Sequence, residues 1–481
     1  MCLLCVMSDA AGTGSTAPAS DAVREVADFT ALLAYTDNSW ARWNATERLR
    51  TPVIVSYSFS ETDELPALSE FDPYGSDGYF TFTASQRTAF RQAAAILERT
   101  AGIVMVEKPG DAAMINIFNS DGTEWSGWAN YPSVSEYGAS GGNLVLDYPP
   151  GTDYRPGTNA FQVMLHELGH AMGLKHPFSG SVQLTDRYDN TYNTLMSYDW
   201  SGSNKQTYSP FDVEALIHTY GAQVNTAGWR WSWAGDTFRL TTSGRAEFLT
   251  VPPNDSTVVR AAGGNDTVNG GGKDDRIWGQ AGNDILQAGD GNDAVYGGQG
   301  RDRLEGGHGS DTLRGGEGAD TLVNGSADGY YYGDTDILRG EAGNDRLTQF
   351  GGTADLFGGG GNDTITATDT DARIFGEGGA DVIILRESYA EITGGAGDDT
   401  IRLFGYEATL RYDRPNQSGR DRVFGFDLYS DSIAFGSRYD ADDLSFSRAA
   451  GGKLLLEIGK TAILFADLRF ADADRVMLDF G

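Results

Sequence analysis

The chain has 481 residues, with 36 Lys and Arg against 68 Asp and Glu, for a formal charge of −32. Such acidity argues against nucleic acid or an anionic membrane surface as partner, and much of it calls for bound cations. The length allows two or three domains, no apolar run approaches the ~18 residues of a membrane span, and the 64 glycines are nearly twice the average usage.

Both cysteines, Cys2 and Cys5, stand at the extreme N-terminus, so the body has no disulfide and must take its staples from metal. Met1 to Met7 is apolar and Ala17-Pro18-Ala19 looks like a cleavage site. No basic residue precedes Arg24, however, and the apolar run ends at Ser8, at the lower limit for a secretory signal, so the hint of one is expected to mislead. Residues 1–21 read as a tail or short propeptide. Val53 to Phe59 alternates as a strand. Thr83 opens a helix, with Gln86 completing a capping box, that runs through Ala93-Ala94-Ala95 toward Thr100. Ile103 to Val106 and Met114 to Phe118 are further strands.

The segment His166-Glu167-Leu168-Gly169-His170-Ala171-Met172-Gly173-Leu174-Lys175-His176-Pro177 carries the chemistry. On a helix His166 and His170 project from one face a turn apart, close enough to share a metal with nitrogen ligands at ~2.0 to 2.1 Å. A continued helix would carry His176 about 15 Å along the axis, out of reach. The helix must break, and Gly173 can take the positive φ that a break needs, while Pro177 opposes any return to helix. Three imidazoles then hold one zinc. Glu167 faces a water at the open fourth position as general base, and the reaction is attack on a polarised peptide carbonyl. A bare pair of histidines four apart can also be a chance feature of a solvated face; the glycine and the third histidine weigh against that. Asp212 to Tyr220 closes this region as a helix. His218 within it reads as packed or solvated, and His308 as solvent-facing.

Downstream, the pattern G-G-x-G-x-D-x-U-x, with U a large apolar residue, recurs every nine residues. Asp266, Asp275, Asp284, Asp293, Asp302, Asp311 and Asp320 keep one phase, and Val268, Ile277, Leu286, Val295, Leu304, Leu313 and Leu322 follow two places later. Each repeat predicts a Gly-rich turn and a very short strand, two repeats making one coil of a parallel β-roll with the apolar residue inside. The turns are expected to carry the aspartates outward, where successive coils offer calcium an oxygen shell. After an insertion near Asn324 to Tyr330 the phase resumes with Leu338, Leu347, Leu356, Ile365, Ile374, Ile383, Ile392 and Ile401. Asp336, Asp345, Asp363, Asp381 and Asp399 are present, but Ala354, Ala372 and Ala390 take the intervening slots. One coil is two repeats, so the second array should bind calcium on one rim only, with an upper bound of about eight ions overall. A disordered linker has no reason to keep an apolar residue at every ninth place. Past residue 403 the repeats give way to strand-like segments at Ser432 to Phe435, Lys453 to Ile458 and Thr461 to Phe465.

The histidine motif resembles the metzincin metalloproteases, and with the nonapeptide repeats the chain is similar to the serralysins over nearly its whole length. The resemblance implies that Met196, in Met196-Ser197-Tyr198, is the apolar floor beneath the three imidazoles. It implies that Tyr198 is an extra zinc ligand that can swing to the oxyanion, and that Gly127-Trp128-Ala129-Asn130-Tyr131-Pro132 is the edge strand pairing with substrate backbone. It further implies an α+β metzincin catalytic domain followed by an all-β parallel β-roll and a C-terminal β-sandwich-like domain. The expected boundaries are tail 1–21, catalytic domain 22–222, connecting segment 223–259, calcium roll 260–402 (ligands Asp266 to Asp320 as above, then Asp345, Asp363, Asp381 and Asp399), and C-terminal domain with export signal 403–481. The implied activity is a secreted, extracellular zinc endopeptidase with structural calcium. Its implied partners are protein or peptide substrates, a proteinaceous inhibitor and signal-peptide-independent type I export machinery, and the chain is expected to be a monomer. The chain ends in Gly481 where the family's export tail is apolar. The competing reading is a calcium-binding surface or adhesive protein with an inactive protease-like domain, against which the intact Glu167 speaks.

Overall fold

The computed structural model describes residues 23–480 apart from 37–38, 40, 46–47, 62–64, 66–77, 111–112, 122–125, 136–137, 141, 150, 201, 326–333, 414–418 and 438. The tail with Cys2 and Cys5, most of the expected insertion, and Gly481 lie outside the described residues. The chain forms two compact units, Met1–Thr226 with Phe248–Asn254, and Ala227–Glu247 with Asp255–Gly481. Among the described residues no helix is long and apolar enough to cross a membrane.

The first unit is built on a six-stranded sheet. Val53–Phe59 lies at its heart, parallel to Ile103–Glu107 on one side and to Ile115–Asp121 on the other. That position explains why all seven of its residues are buried although the sequence alternates: both faces of a parallel sheet are covered. Gly142–Leu146 continues the parallel set, and Gly127–Ala129 closes that edge antiparallel. Helix α1, Ala84–Thr100, starts at the expected capping box, with Thr83 N–H donating to Gln86 Oε1 at 2.8 Å and Gln86 N–H donating to Thr83 Oγ1 at 3.3 Å. Its Phe90 packs on Tyr57 and Phe59 of the sheet, with ring centroids 5.0 and 5.7 Å apart. Helix α2, Asn159–Ala171, is capped by Thr158 and buried from Ala160 onward, and α3, Pro210–Tyr220, follows.

In the second unit the nine-residue phase becomes two parallel sheets. One has thirteen strands, from Arg230–Ala234 to Met477–Phe480; the other passes through Thr267–Asn269 and ends Thr461–Arg469, Lys453–Ile458, Leu444–Arg448. Every apolar repeat position from Val268 to Ile401 is at most 1 % exposed, and these residues pair in register coil upon coil. The inward ladders outlast the repeats: Ile401 is followed by Val423 and Phe465, and Ile392 by Leu410, Ile433 and Leu478. The C-terminal strands therefore prolong the same two sheets, and segment 223–259, expected as a connection, supplies Arg230–Ala234, Thr237–Thr241 and Ser256–Arg260 to one of them. In an array this thin each buried leucine has few substitutes around it. Leu313→Ala should cost roughly 2–5 kcal/mol, read as a lowered denaturation midpoint of the calcium-loaded chain; a loss below about 0.5 kcal/mol would contradict a packed roll.

Candidate metal centre and carboxylate columns

Helix α2 presents His166, Glu167 and His170, all buried, and ends where the sequence analysis placed the break. Gly173 has φ +85°, and a Cβ on it would stand 2.4 Å from the Ala41 carbonyl oxygen, so both conformation and space require glycine. The reversed chain returns His176 to the helix. The three Nε2 atoms lie 3.1, 3.2 and 3.3 Å apart. Four nitrogens at ~2.05 Å around a tetrahedral zinc are separated by about 3.3 Å, so the spacing fits that ion.

The imidazoles are set as acceptors toward the common point. His166 Nδ1 lies 2.9 Å from the Leu195 carbonyl and His170 Nδ1 2.7 Å from that of Leu174. A carbonyl only accepts, so Nδ1 carries the hydrogen and Nε2 keeps its lone pair. Burial pushes His166 down to about 4 and lowers His170 and His176 well below the ordinary histidine value, which keeps the rings neutral. His176 is held instead by stacking on Phe178, 5.1 Å away and 7° from parallel. Buried Lys175 donates through Nζ to the carbonyls of Ser179 and Val182, curling the chain just beyond the third histidine. Neither Phe178 nor Lys175 has a sequence signal of its own.

Met196 is fully buried beneath the helix: a Cβ on Gly169 would meet its sulfur at 2.8 Å, so the small residue between the two helical histidines makes room for it. The ring of Tyr198 is 4.6 Å from that of His176 and 6.1 Å from that of His166. Tyr131, just past Gly127–Ala129, is edge-on to His170 at 5.6 Å, and a Cβ on Gly127 would reach Glu167 Cγ at 3.2 Å, which sets this edge strand beside the carboxylate.

Sequence reasoning missed Asp212. Fully buried on α3, its carboxylate accepts from Thr194 Oγ1 at 2.6 Å, Leu195 N–H at 2.7 Å and Ser209 N–H at 2.9 Å, and burial raises it to about 6. It therefore holds the turn whose Leu195 carbonyl orients His166. An acidic residue at a helix start resembles an ordinary cap, and its contact with residues 194–195 is tertiary.

In the second unit the aspartates differ from expectation: they are buried, 0 to 3 % exposed, not turned outward. Beyond the first of each column, where Asp266 and Asp275 accept from Glu247 and Thr257, each Oδ1 accepts the backbone N–H of the aspartate one coil earlier, as from Asp284 to Asp302 and from Asp302 to Asp320 at 2.8 Å, so the side chains fold back along the stack. One column runs Asp266, Asp284, Asp302, Asp320, Asp345, Asp363, Asp381, Asp399 and on to Asp421; the other runs Asp275, Asp293, Asp311, Asp336. Asp421 falls outside the nine-residue phase, which hid it from periodicity. Among the described residues, Oδ2 of Asp266, Asp284, Asp293, Asp302, Asp311, Asp320, Asp345, Asp363, Asp381 and Asp399 is buried without a hydrogen-bond partner. The columns end on neutral donors, with Gln349 Nε2 2.7 Å from Asp336 Oδ2 and Tyr412 OH 3.0 Å from Asp421 Oδ2. The point where a Cβ on Gly279 would sit is 2.2 Å from Asp284 Oδ2 and 2.8 Å from the Gly297 carbonyl, so the turns leave an oxygen-lined cradle fit for calcium.

A family model of the RTX calcium-binding nonapeptide repeat matches residues 261–295, 287–322, 296–329, 330–348, 350–386 and 391–403. Among curated proteins the chain is 28 % identical over 233 residues to metallopeptidase AprA of Pseudomonas marginalis, covering 42 % of this chain and 47 % of that protein. It is 24 % identical over 261 residues to serralysin of Proteus mirabilis (47 % and 51 %) and 26 % over 203 residues to serralysin A of Dickeya chrysanthemi (38 % and 42 %). The chain is thus similar to serralysins and carries RTX calcium-binding repeats. It spans about half the length of the curated relatives it matches.

This geometry makes two outcomes measurable. Asp212→Ala removes the acceptor of Thr194 Oγ1 and of the Leu195 and Ser209 N–H groups, and should weaken zinc binding by about tenfold or more in a competition titration of the folded variant; unchanged affinity would remove Asp212 from the site. In the calcium-free chain, burial, helped by neighbouring carboxylates, raises Asp302, Asp345 and Asp381 to about 7 and Asp293 and Asp311 to about 8. Folded-state values above the unfolded ~3.9 favour the protonated roll, so this stabilisation is complete below that pH and is lost as pH rises through about 7 to 8. Thermal unfolding after calcium removal should come at higher temperature at pH 5 than at pH 8.5, and the reverse order would refute the assignment.

Proposed function

We propose that the chain is a secreted, extracellular zinc-dependent endopeptidase stabilised by calcium. The observation that carries this reading is the convergence of three neutral imidazoles, Nε2 atoms within 3.3 Å of one another, beside the buried Glu167. His166, His170 and His176 would hold the zinc ion. That ion, when bound, lowers the pKa of a coordinated water toward ~7 and polarises a peptide carbonyl. Glu167 takes the proton of the attacking water and returns it to the leaving amine. Tyr198, close to His176, donates its hydroxyl to the carbonyl oxygen as negative charge builds there. Gly127–Ala129, an antiparallel edge strand beside Glu167, pairs with the extended backbone of a protein or peptide substrate. Gly173 and Met196 shape the site without touching substrate. In the second unit, the unpartnered Oδ2 atoms from Asp266 to Asp399, with Asp275, are the calcium ligands; the column that stops at Asp336 leaves the later coils with ligands on one rim.

The test is hydrolysis of an unstructured protein by the calcium-folded chain beside Glu167→Ala, with zinc measured in both. The parent should cleave, and the variant should keep one zinc and lose activity by about 10³-fold or more. Comparable cleavage by the variant would sink the role of Glu167, and absence of cleavage by a zinc-loaded parent would favour the inactive calcium scaffold. A zinc-selective chelator should abolish activity with the roll intact, whereas removal of calcium should unfold the roll.

A further inference from the structure

The outward face of the thirteen-stranded sheet that begins at Arg230–Ala234 carries a charge pattern opposite to that of the chain. Its first seven strands are Arg230–Ala234, Thr237–Thr241, Ser256–Arg260, Arg276–Ala281, Ala294–Gln299, Thr312–Glu317 and Thr335–Ala342, and six of them contribute one arginine each. In-register pairing sets Arg230, Arg260, Arg314 and Arg339 in one column with Trp278 and Tyr296, and Arg239 and Arg276 in the column beside it. The strand without an arginine is the one that supplies Tyr296. Neither column holds an acidic residue before Asp355, in a chain with 68 Asp and Glu against 36 Lys and Arg. Arg339 is half-buried and the other five are exposed. Among the described residues, Arg314 alone of the six meets a carboxylate, that of Glu341 at 3.5 Å. Arg314 and Arg339 are direct cross-strand neighbours, and like charges so placed repel. Farther along the sheet the arginines are neutralised: Asp355 accepts from Arg373 at 2.5 and 2.7 Å, and Glu391 pairs with Arg411 at 3.4 Å.

We propose that this ladder binds an acidic polysaccharide with one anionic group per sugar ring. Strands succeed one another at about 4.8 Å, close to the length of one ring, so an extended chain laid across them offers one anion to each guanidinium. The forks are held ready: Arg260 lies over Trp278 at 4.8 Å, Trp278 stacks on Tyr296 at 5.2 Å and 4° from parallel, and Arg339 lies over Phe357 at 3.8 Å. A guanidinium fixed by stacking loses little freedom when it takes a carboxylate or sulfate through two N–H groups. Bound anions also relieve the repulsion along the columns. A nucleic acid is less suited, because Arg260 and Tyr296 cover the two faces of Trp278 and leave no platform there for a base. An acidic peptide is less suited too. Its side chains on one face recur every ~6.8 Å, out of step with the strands, and a sheet face offers its backbone no partners.

The experiment titrates the full chain, in excess calcium, with a hexauronate and with a galactose hexasaccharide bearing one sulfate per ring. Hexaglucose, a single-stranded oligonucleotide and hexaglutamate are run alongside. Saturable binding of at least one of the two acidic hexasaccharides is expected, with an affinity that falls as salt rises, and the tighter of the two names the anionic group. The double variant Arg260→Gln with Arg276→Gln should weaken it at least about tenfold, whereas Arg303→Gln, on the other sheet and paired with Glu305, should leave it unchanged. Calcium content and cleavage of an unstructured protein should be the same in all variants. Binding of neither acidic hexasaccharide, tighter binding of the oligonucleotide, the peptide or hexaglucose, indifference to the double variant, or an equal loss in Arg303→Gln would overturn the proposal.

Discussion

The histidine site depends on a reversal of direction after Ala171. A helix can place two imidazoles on one face but cannot supply a third within a metal's radius, and here the third comes from residues that turn back through Gly173. That glycine is constrained twice, by its φ and by the Ala41 carbonyl against it, so the turn is held by the body of the first unit as well as by local conformation. The other fixtures of the site secure what the turn brings together. Leu195 and Leu174 orient two rings through their carbonyls, Phe178 stacks on the third, and Asp212 holds the segment that carries Leu195.

The second unit meets a related electrostatic difficulty with different chemistry. Its aspartates are buried in columns, where burial and, for members such as Asp293 and Asp311, neighbouring carboxylates raise the tendency to protonate, and in most of them one oxygen only is satisfied by the backbone. The other oxygen is left for a cation. Where a column stops, a neutral donor such as Gln349 or Tyr412 takes the place of the ion, and where the aspartates give way to alanines the rim needs no cation. Apolar packing continues without interruption through all of these regions, because the inward ladder is independent of what the turns carry.

Much of this was legible in the chain because it is local or periodic. The capping box at Thr83 and Gln86, the break at Gly173, and the apolar ninth positions each express one short-range rule. The burial of the aspartates was not legible. A carboxylate in a Gly-rich turn suggests exposure, and only the stacking of coils shows that its Oδ1 turns back to a backbone N–H one coil away. Likewise Val53–Phe59 alternates in sequence yet is buried throughout, since both faces of the parallel sheet at whose centre it lies are covered.

The sequence by itself determined which groups could act: three imidazoles with a carboxylate at fixed spacing, and aspartates and apolar residues in strict phase, since spacing along the chain controls which side chains share a helix face or a coil position. The tertiary structure alone decided how those groups are tuned. The orientation of His166 through Asp212, the stacking of Phe178 on His176 and the extension of a column to Asp421 join residues distant in sequence or out of phase. No local rule specifies such contacts, because they arise only when packing brings separate segments within a few ångströms.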